Sequence, residues 1–435
     1  MRAVLLAGGK GTRLGKRDIP KPMVEVGGIP VLEHQIRLLK SHQFYQVTVL
    51  ASYKAERIEE YFGDGAEFGV DLEIVKEDPP LGTAGAVKAF AKCHKDPFLV
   101  IYSDLMVDID LTHLVEFHKS RESLATLVVH PNDHPLDSDL VEIDDEAFVK
   151  QFFSKPHAES AGRRNLVNAA VYVLDPSILE MVPENEPSDF GRDIFPKVVK
   201  SGGKIRAYLT TEYVKDMGTR ERLAAVTRDF QTGKIGRMKR SIERKVCFLD
   251  RDGVINQEVG DLSRVDQLTL IPGASTSIRK LNQNGFLVIV VTNQPVLAKG
   301  FMTFEGLSKI HAQLEWVLGL SGAFVDAIYV CPHHPKKGFQ GEVERLKKDC
   351  ECRKPAPGLI LQALADHNLD MSNSWLIGDR LCDIAAGQSG GVNSNILVRT
   401  GHAGHDEHLF EEKPDFVVES IVEACNLILE KSGEE

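Results

Sequence analysis

Short apolar runs that stop abruptly at glycine, at small polar residues or at aspartate set the rhythm of this chain. Residues 3–7 empty into Gly8-Gly9, and 98–102 stop at Ser103-Asp104. Further on, 246–249 end at Asp250, 286–291 at Thr292-Asn293-Gln294, and 375–377 at Gly378-Asp379. Continuous apolar runs, in place of in-and-out alternation, are the mark of parallel strands covered on both faces. Helix-like stretches alternate with them on both sides of 232–245, a segment with six basic residues and one acidic residue. The pattern predicts an α/β chain of two doubly wound domains. We divide it into residues 1–232, a basic linker at 233–244, and residues 245–435.

The stretch 246–255 carries the plainest candidate chemistry. Four apolar residues deliver Asp250 and Asp252 to a strand tip. A carboxylate placed there can attack phosphorus, and a second can protonate the leaving oxygen and then activate water. Asp250 fits the nucleophile and Asp252 the acid/base. An Asx-turn followed by Gly253 would end a strand in the same way, so the later stretches decide. Thr292, Asn293, Gln294 and the cations Arg353 and Lys354 can hold phosphate, and Asp379 and Asp383 follow another strand. This set, in this order, resembles the haloacid-dehalogenase (HAD) phosphatases over residues 245 to about 430. The resemblance implies Mg²⁺ held by the side chains of Asp250 and Asp379 and the backbone carbonyl of Asp252. It also implies a phosphoryl group steadied by Thr292 and Lys354. Like charges ~4 Å apart repel by ~4 kcal/mol at an effective dielectric of ~20. Two carboxylates and a phosphate dianion therefore need a cation between them.

Near the start, Gly8-Gly9-Lys10-Gly11-Thr12-Arg13-Leu14 precedes Pro20-Lys21-Pro22-Met23. Glycines let backbone N–H groups close around phosphates, and Arg13 and Lys21 add positive charge. Read singly, Lys21 is also a solvated turn residue, Asp104 and Asp216 helix caps, and Lys155 a strand-edge lysine. Taken together and in order, these residues resemble the sugar-1-phosphate nucleotidylyltransferases, over residues 1 to about 230. That family's fold is a glycosyltransferase-A-like domain with a mixed sheet. The resemblance implies nucleotide binding by Gly8, Gly9, Gly11, Thr12, Gly82 and Thr83, and Mg²⁺ binding by Asp104 and Asp216. It implies sugar-phosphate contacts at Lys155 and Asn168, and catalysis by Arg13 and Lys21 through in-line attack without a covalent intermediate. Ser103 stands where that family usually has Gly, and Ser154 where it has Glu.

Cys331-Pro-His333-His334 lies sixteen residues before Cys350-Glu-Cys352. Three thiols and an imidazole make the ligand set of a closed, structural Zn²⁺ site. His334 competes with His333, and the family pattern Cys-x-His favours His333. Zinc in the loop 331–352 would also aim Arg353 and Lys354, which follow Cys352 directly. Cys93, Cys247, Cys382 and Cys425 read as packing residues. Such a loop resembles those of heptose 1,7-bisphosphate 7-phosphatases and histidinol-phosphatases. Its long His-to-Cys spacing and the stretch 298–303 favour the former. Pro295-Val296, Asp261 and Arg380 depart from that pattern.

Composition narrows the picture. A net charge of −11 over 435 residues argues against nucleic acid as a partner. No apolar run approaches the ~20 residues of a membrane span, and the start lacks a signal peptide. Cysteine usage suits a reducing compartment, so a cytoplasmic enzyme is expected. The two resemblances together imply one sequence of reactions. The second half would remove the 7-phosphate of D-glycero-D-manno-heptose 1,7-bisphosphate. The first half would then join the 1-phosphate to a nucleotide, in a route that supplies surface glycans and lipopolysaccharide. GTP is the expected donor, because the α-anomer route to GDP-heptose uses an N-terminal fold of this kind. The alternatives are a UTP-, dTTP- or CTP-dependent transferase, a non-catalytic nucleotide-sugar module, or a histidinol-phosphatase-like second half. Oligomeric state is not legible in the sequence.

Overall fold

The computed structural model describes residues 1–9, 19–91, 95–406 and 410–433. Gly11, Thr12, Arg13 and Cys93 lie outside the described residues. The chain forms two compact units. Met1–His130, Ser138–Lys155 and Leu166–Lys239 make the first; Pro131–Asp137, Pro156–Asn165 and Arg240–Glu435 make the second. The change of unit at Lys239 falls inside the basic segment. Part of that segment is packed: Lys234–Arg237 is a helical turn whose Ile235 is buried with Val26, Val31 and Val226.

The first unit is built on a nine-stranded mixed sheet. Its strand Ala3–Leu6 pairs in parallel with Gln46–Ala51 on one side and Phe98–Tyr102 on the other. Val167–Leu174 runs antiparallel to Phe98–Tyr102. Successive residues of the first strand serve different cores, Ala3 and Leu5 in one and Val4 in the other. Both faces are covered, which is why the run is apolar without alternation. The chain crosses to opposite sides of Ala3–Leu6, so its C-terminal end is a switch point, where an open α/β sheet keeps its ligand. A short antiparallel ribbon, Leu105–Asp108 with Tyr213–Asp216, pairs Leu105 with Asp216. It brings Asp104 and Asp216 to one end.

The second unit is a six-stranded, wholly parallel sheet. The order is Ala327–Cys331, Leu287–Asn293, Arg244–Leu249, Leu369–Gly378, Ser394–Val398, Phe416–Val418. Cys247 and Leu249 enter one core, Val246 and Phe248 the other. The switch point falls between Arg244–Leu249 and Leu369–Gly378, the two strands that Asp250 and Asp379 follow. Among the described residues, no helix is long and apolar enough to cross a membrane.

Candidate active sites

In the second unit, the ladder continues one residue past the strand through Asp250 N–H to Ile377 O (3.0 Å), which fixes Asp250 at the tip. Its Oδ1 accepts from Lys354 Nζ at 2.7 Å. The same ammonium lies 2.7 Å from Asp383 Oδ1 and donates to Val291 O at 2.8 Å. Asp250, Asp379 and Asp383 place carboxylate oxygens within 4.8 Å of one another. Burial, then Asp383 and Asp252, push Asp250 up against the opposing pull of Lys354. Burial, Asp383 and Asp250 raise Asp379 in the same sense. Desolvation works against the Lys354 ammonium, but Asp250 and Asp383 hold it well above its ordinary value.

Three carboxylates around one ammonium leave net negative charge in a dry place, so the donor set fits a hard divalent cation. Two further observations agree with that fit. Asp379 Oδ1 is buried without a hydrogen-bond partner, while Oδ2 accepts from His402 N–H at 2.6 Å. Gly253 (φ +81°) and Gly401 (φ +65°) cradle that carboxylate so closely that a Cβ on either would lie within 2.4 Å of Oδ2. Asp250 and Asp379 would hold Mg²⁺ there. Glu258 and His402 stand at the rim, 3.5 Å apart.

Asp252 is held differently. Arg251 gives it N–H bonds of 2.7 to 3.1 Å, and Asn256 and Gln294 each add one at 2.9 Å. Burial alone would raise its pKa; Arg251 and these amides bring it below the usual carboxylate range. Thr292 Oγ1 accepts from Gln294 at 2.9 Å. Asn293 pairs with the backbone of Lys354 in both directions at 3.1 Å, so the strand tip at 293 fixes the lysine. Arg353 donates to His333 O at 3.1 Å.

Cys331, His333, Cys350 and Cys352 come together as a cluster. Their sulfur–sulfur separations are 3.6 and 3.4 Å, and their sulfur–Nδ1 separations 3.9 and 3.4 Å. A tetrahedron with ordinary Zn–S and Zn–N bonds has edges of about 3.8 and 3.6 Å. The four donors are thus already spaced to hold Zn²⁺. His334 is turned to another task, accepting from Lys336 N–H at 3.1 Å.

In the first unit, Lys21 Nζ donates to Asp104 Oδ2 at 2.7 Å. Its stem runs past Gly9, where a Cβ would stand 3.2 Å from Lys21 Cδ. Gly8 O accepts from Ser52 Oγ at 3.1 Å. Asp216 is ion-paired with Arg222 and accepts from Gly218 N–H at 2.6 Å. Ser103, the departure from the family pattern, donates its hydroxyl to Leu6 O at 2.6 Å and stitches the two strand ends together. Gly82 and Thr83 open the helix Gly82–Ala91, and Thr83 Oγ1 donates to Asp189 Oδ2 at 2.8 Å. Lys155 is exposed just past Val149–Phe153, and Asn168 sits on Val167–Leu174. Asp139 links them: its Oδ1 accepts from Lys155 N–H and its carbonyl from Asn168 N–H.

Sequence reasoning left Asn256, Asp139 and Asp189 out of the sites, and gave Asp383, named with its strand end, no role of its own. A signal existed for Asp383, four residues after Asp379 on the helix Leu381–Ser389. It comes so close to Gly378 that a Cβ there would meet Asp383 Cβ at 2.3 Å. Asp139 and Asp189 carry no local signal.

The fold and these two crevices define a two-part enzyme of phosphoryl chemistry, one part aspartate-based and one with a lysine–aspartate pair beside Gly8 and Gly9. A nucleotidyl transferase family model matches residues 2–233, over half of the chain, and a HAD-hydrolase-like model matches 351–424. D-glycero-beta-D-manno-heptose-1,7-bisphosphate 7-phosphatase of Haemophilus ducreyi is 36% identical over 181 residues, 41% of this chain and 96% of that protein. UTP–glucose-1-phosphate uridylyltransferase of Synechocystis is 36% identical over 218 residues; the chain spans 46% of itself and 56% of that relative. HddC from Yersinia pseudotuberculosis, solved with GMP-PN, is 28% identical over 53% of this chain and 99% of its own, with a TM-score of 0.46. The chain belongs to the nucleotidyl transferase family in its first half and to the heptose-bisphosphate phosphatase family in its second. Both families typically use Mg²⁺.

Proposed function

We propose that the protein makes a nucleotide-activated heptose in two steps, removing the 7-phosphate of D-glycero-D-manno-heptose 1,7-bisphosphate and then transferring GMP from GTP to the remaining 1-phosphate. The observation that carries this reading is the buried Asp250–Lys354–Asp383–Asp379 constellation. It is joined in one chain to a unit of the family that consumes sugar 1-phosphates.

In the first step Asp250 forms a bond to phosphorus as the bond from phosphorus to the C7 oxygen breaks, and Asp252 passes to that departing oxygen a proton that it takes up, against the pull of Arg251, when the phosphate dianion binds beside it. Water then attacks the aspartyl-phosphate, with Asp252 taking the proton. Lys354, Thr292, Asn293 and Arg353 would steady the phosphate oxygens. Bound Mg²⁺ would supply the positive charge this crowd of anions lacks. In the second step an oxygen of the sugar 1-phosphate attacks the α-phosphorus of GTP and pyrophosphate leaves. Lys21 and Arg13 would spread the charge that develops, and Asp104 and Asp216 would hold the Mg²⁺ of that site. Gly8, Gly9, Gly11, Thr12, Gly82 and Thr83 would receive the nucleotide, and Lys155 and Asn168 the sugar phosphate. Cys331, His333, Cys350 and Cys352 would hold Zn²⁺ as a structural ion.

Guanine is chosen because the α-anomer route employs an N-terminal fold of this resemblance. The phosphatase relatives are named for the β-anomer, which makes β the second reading. Phosphorus NMR on the protein given each anomer, with each of four nucleoside triphosphates, tests both. We expect the 7-phosphate signal to vanish first and pyrophosphate to follow with GTP. Failure to consume either bisphosphate would end the proposal.

A further inference from the structure

Arg251 stands in sequence between the two reacting aspartates, yet its side chain serves only one of them. Its guanidinium has no solvent exposure. Nε and Nη2 donate to Asp252, and Nη2 also donates to Gln294 Oε1 at 3.1 Å. Its other nitrogen, Nη1, lies 3.2 Å from His311 Nε2, sixty residues away on the helix Phe304–Leu320. A guanidinium can only donate. His311 Nε2 must therefore present its lone pair, so the imidazole is neutral with its proton on Nδ1. One turn further along the same helix, Glu315 accepts from Asn165 N–H at 3.0 Å, which anchors the helix that carries His311.

We infer that His311 is a positioning residue for phosphatase catalysis, a neutral acceptor that fixes Arg251 and through it aims the Asp252 carboxylate at the leaving oxygen. The inference rests on the acid/base reading of Asp252 given above. Proton transfer requires heavy atoms 2.6–3.2 Å apart, and a misplacement of about 1 Å costs on the order of 100-fold. Asn256 and Gln294 each supply Asp252 with one bond, while Arg251 reaches both of its oxygens. The orientation of the carboxylate thus depends on where the guanidinium sits. Two of its three partners, Asp252 and Gln294, belong to the strand tips themselves; His311 is the one fixed from a separate helix. Without an acceptor at 311, Arg251 keeps its charge and loses the contact that holds its far edge.

The test compares His311→Leu, which removes the acceptor, with His311→Gln, whose amide oxygen restores one. Both are made in the full chain and assayed with Mg²⁺ and D-glycero-D-manno-heptose 1,7-bisphosphate. Leu should lower kcat about tenfold or more with KM changed by less than about twofold, and Gln should recover most of the loss. The Mg²⁺ concentration for half-activity should match the parent in both variants, and melting temperature should fall by a few degrees in Leu, where a buried N–H loses its acceptor, and little in Gln. Should Leu prevent folding, His311→Ala takes its place in the same comparison. Equal losses in Leu and Gln, a loss residing in KM, or no loss at all would overturn the inference. Asp252→Asn under the same conditions separates the two levels. An undiminished Asp252→Asn would sink the acid/base reading itself, whereas a large loss there beside an unaffected His311→Leu would sink only the role of His311.

Discussion

Each of the two crevices sets a lysine against an aspartate at 2.7 Å, and each lies at a switch point of its sheet. They differ in water. The side chains of Lys21 and Asp104 are 14% and 29% exposed; those of Lys354 and Asp250 are 3% and 11% exposed. In the first unit the charges have only to meet phosphates that arrive carrying their own negative charge, so partial solvation is tolerable. In the second, on the proposed reading, a carboxylate itself becomes the nucleophile, and shedding its water shell is part of making it reactive. The crowding that pushes Asp250 and Asp379 up is the cost of that dryness. On that proposal, the same pair of residue types does different chemistry according to how much solvent its strand tips admit.

The sharpest way to break this comparison is Asp250→Asn. Release of inorganic phosphate should fall by a factor on the order of 10⁴ or more. Pyrophosphate formation from heptose 1-phosphate and GTP should continue at the parental rate. Undiminished phosphate release would mean that Asp250 is not the nucleophile. Lys21→Ala is the mirror experiment, with an expected loss of about 10² to 10³ in pyrophosphate release, the scale of removing one preorganised charge donor. Phosphate release from the bisphosphate should be untouched. If pyrophosphate release also persisted, the first unit would be a binding module and the contrast between the crevices would not concern catalysis at all.

How much of this was legible beforehand follows the same divide. Both folds could be read, because two-sided burial writes itself as unbroken apolar runs, as in 246–249 and 286–291. The strand tips could be read too, since Asp250, Thr292 and Asp379 follow those runs directly. What escaped was whatever the third dimension adds. Asp383 shares Lys354 with Asp250 although the two aspartates stand 133 positions apart. Asp139 ties Lys155 to Asn168 from just before the neighbouring strand Leu140–Ile143, and His311 reaches Arg251 from a helix chosen by packing. The basic segment looked like a linker from charge alone, yet Ile235 within it is buried. Ile235, Met238 and Ile242 scattered among the charges made too short a pattern from which to foresee that.

A milder perturbation asks whether the dry crevice depends on the loop beside it. Cys352→Ser replaces a soft thiolate by a poor zinc ligand one residue before Arg353, whose guanidinium is bonded to His333 O. Zinc measured by elemental analysis of the purified protein should fall from about one per chain towards zero. Phosphate release should drop about 10- to 100-fold, as happens when the support of a site is removed while its reacting groups remain. Pyrophosphate formation should not change. A parental protein free of zinc would sink this account, and the tetrahedral spacing of the four donors would then reflect packing alone.

The smallest effect is expected at Ser103, where the sequence departs from its family beside the solvated crevice. Its hydroxyl donates to Leu6 O, but that carbonyl already accepts from Ser103 N–H at 3.0 Å. Ser103→Ala therefore leaves no buried acceptor unpaired and loses only the net value of one hydrogen bond, about 0.5 to 1.5 kcal/mol. Thermal unfolding of the first unit should begin slightly earlier. Because Ser103 holds strand ends and its hydroxyl is turned into the sheet, pyrophosphate formation should remain within about twofold of the parent, in line with a surface-like cost. A loss in turnover much larger than the loss in stability would show that Asp104 is aimed through its neighbour's hydroxyl. The half-solvated site would then be as tightly preorganised as the dry one.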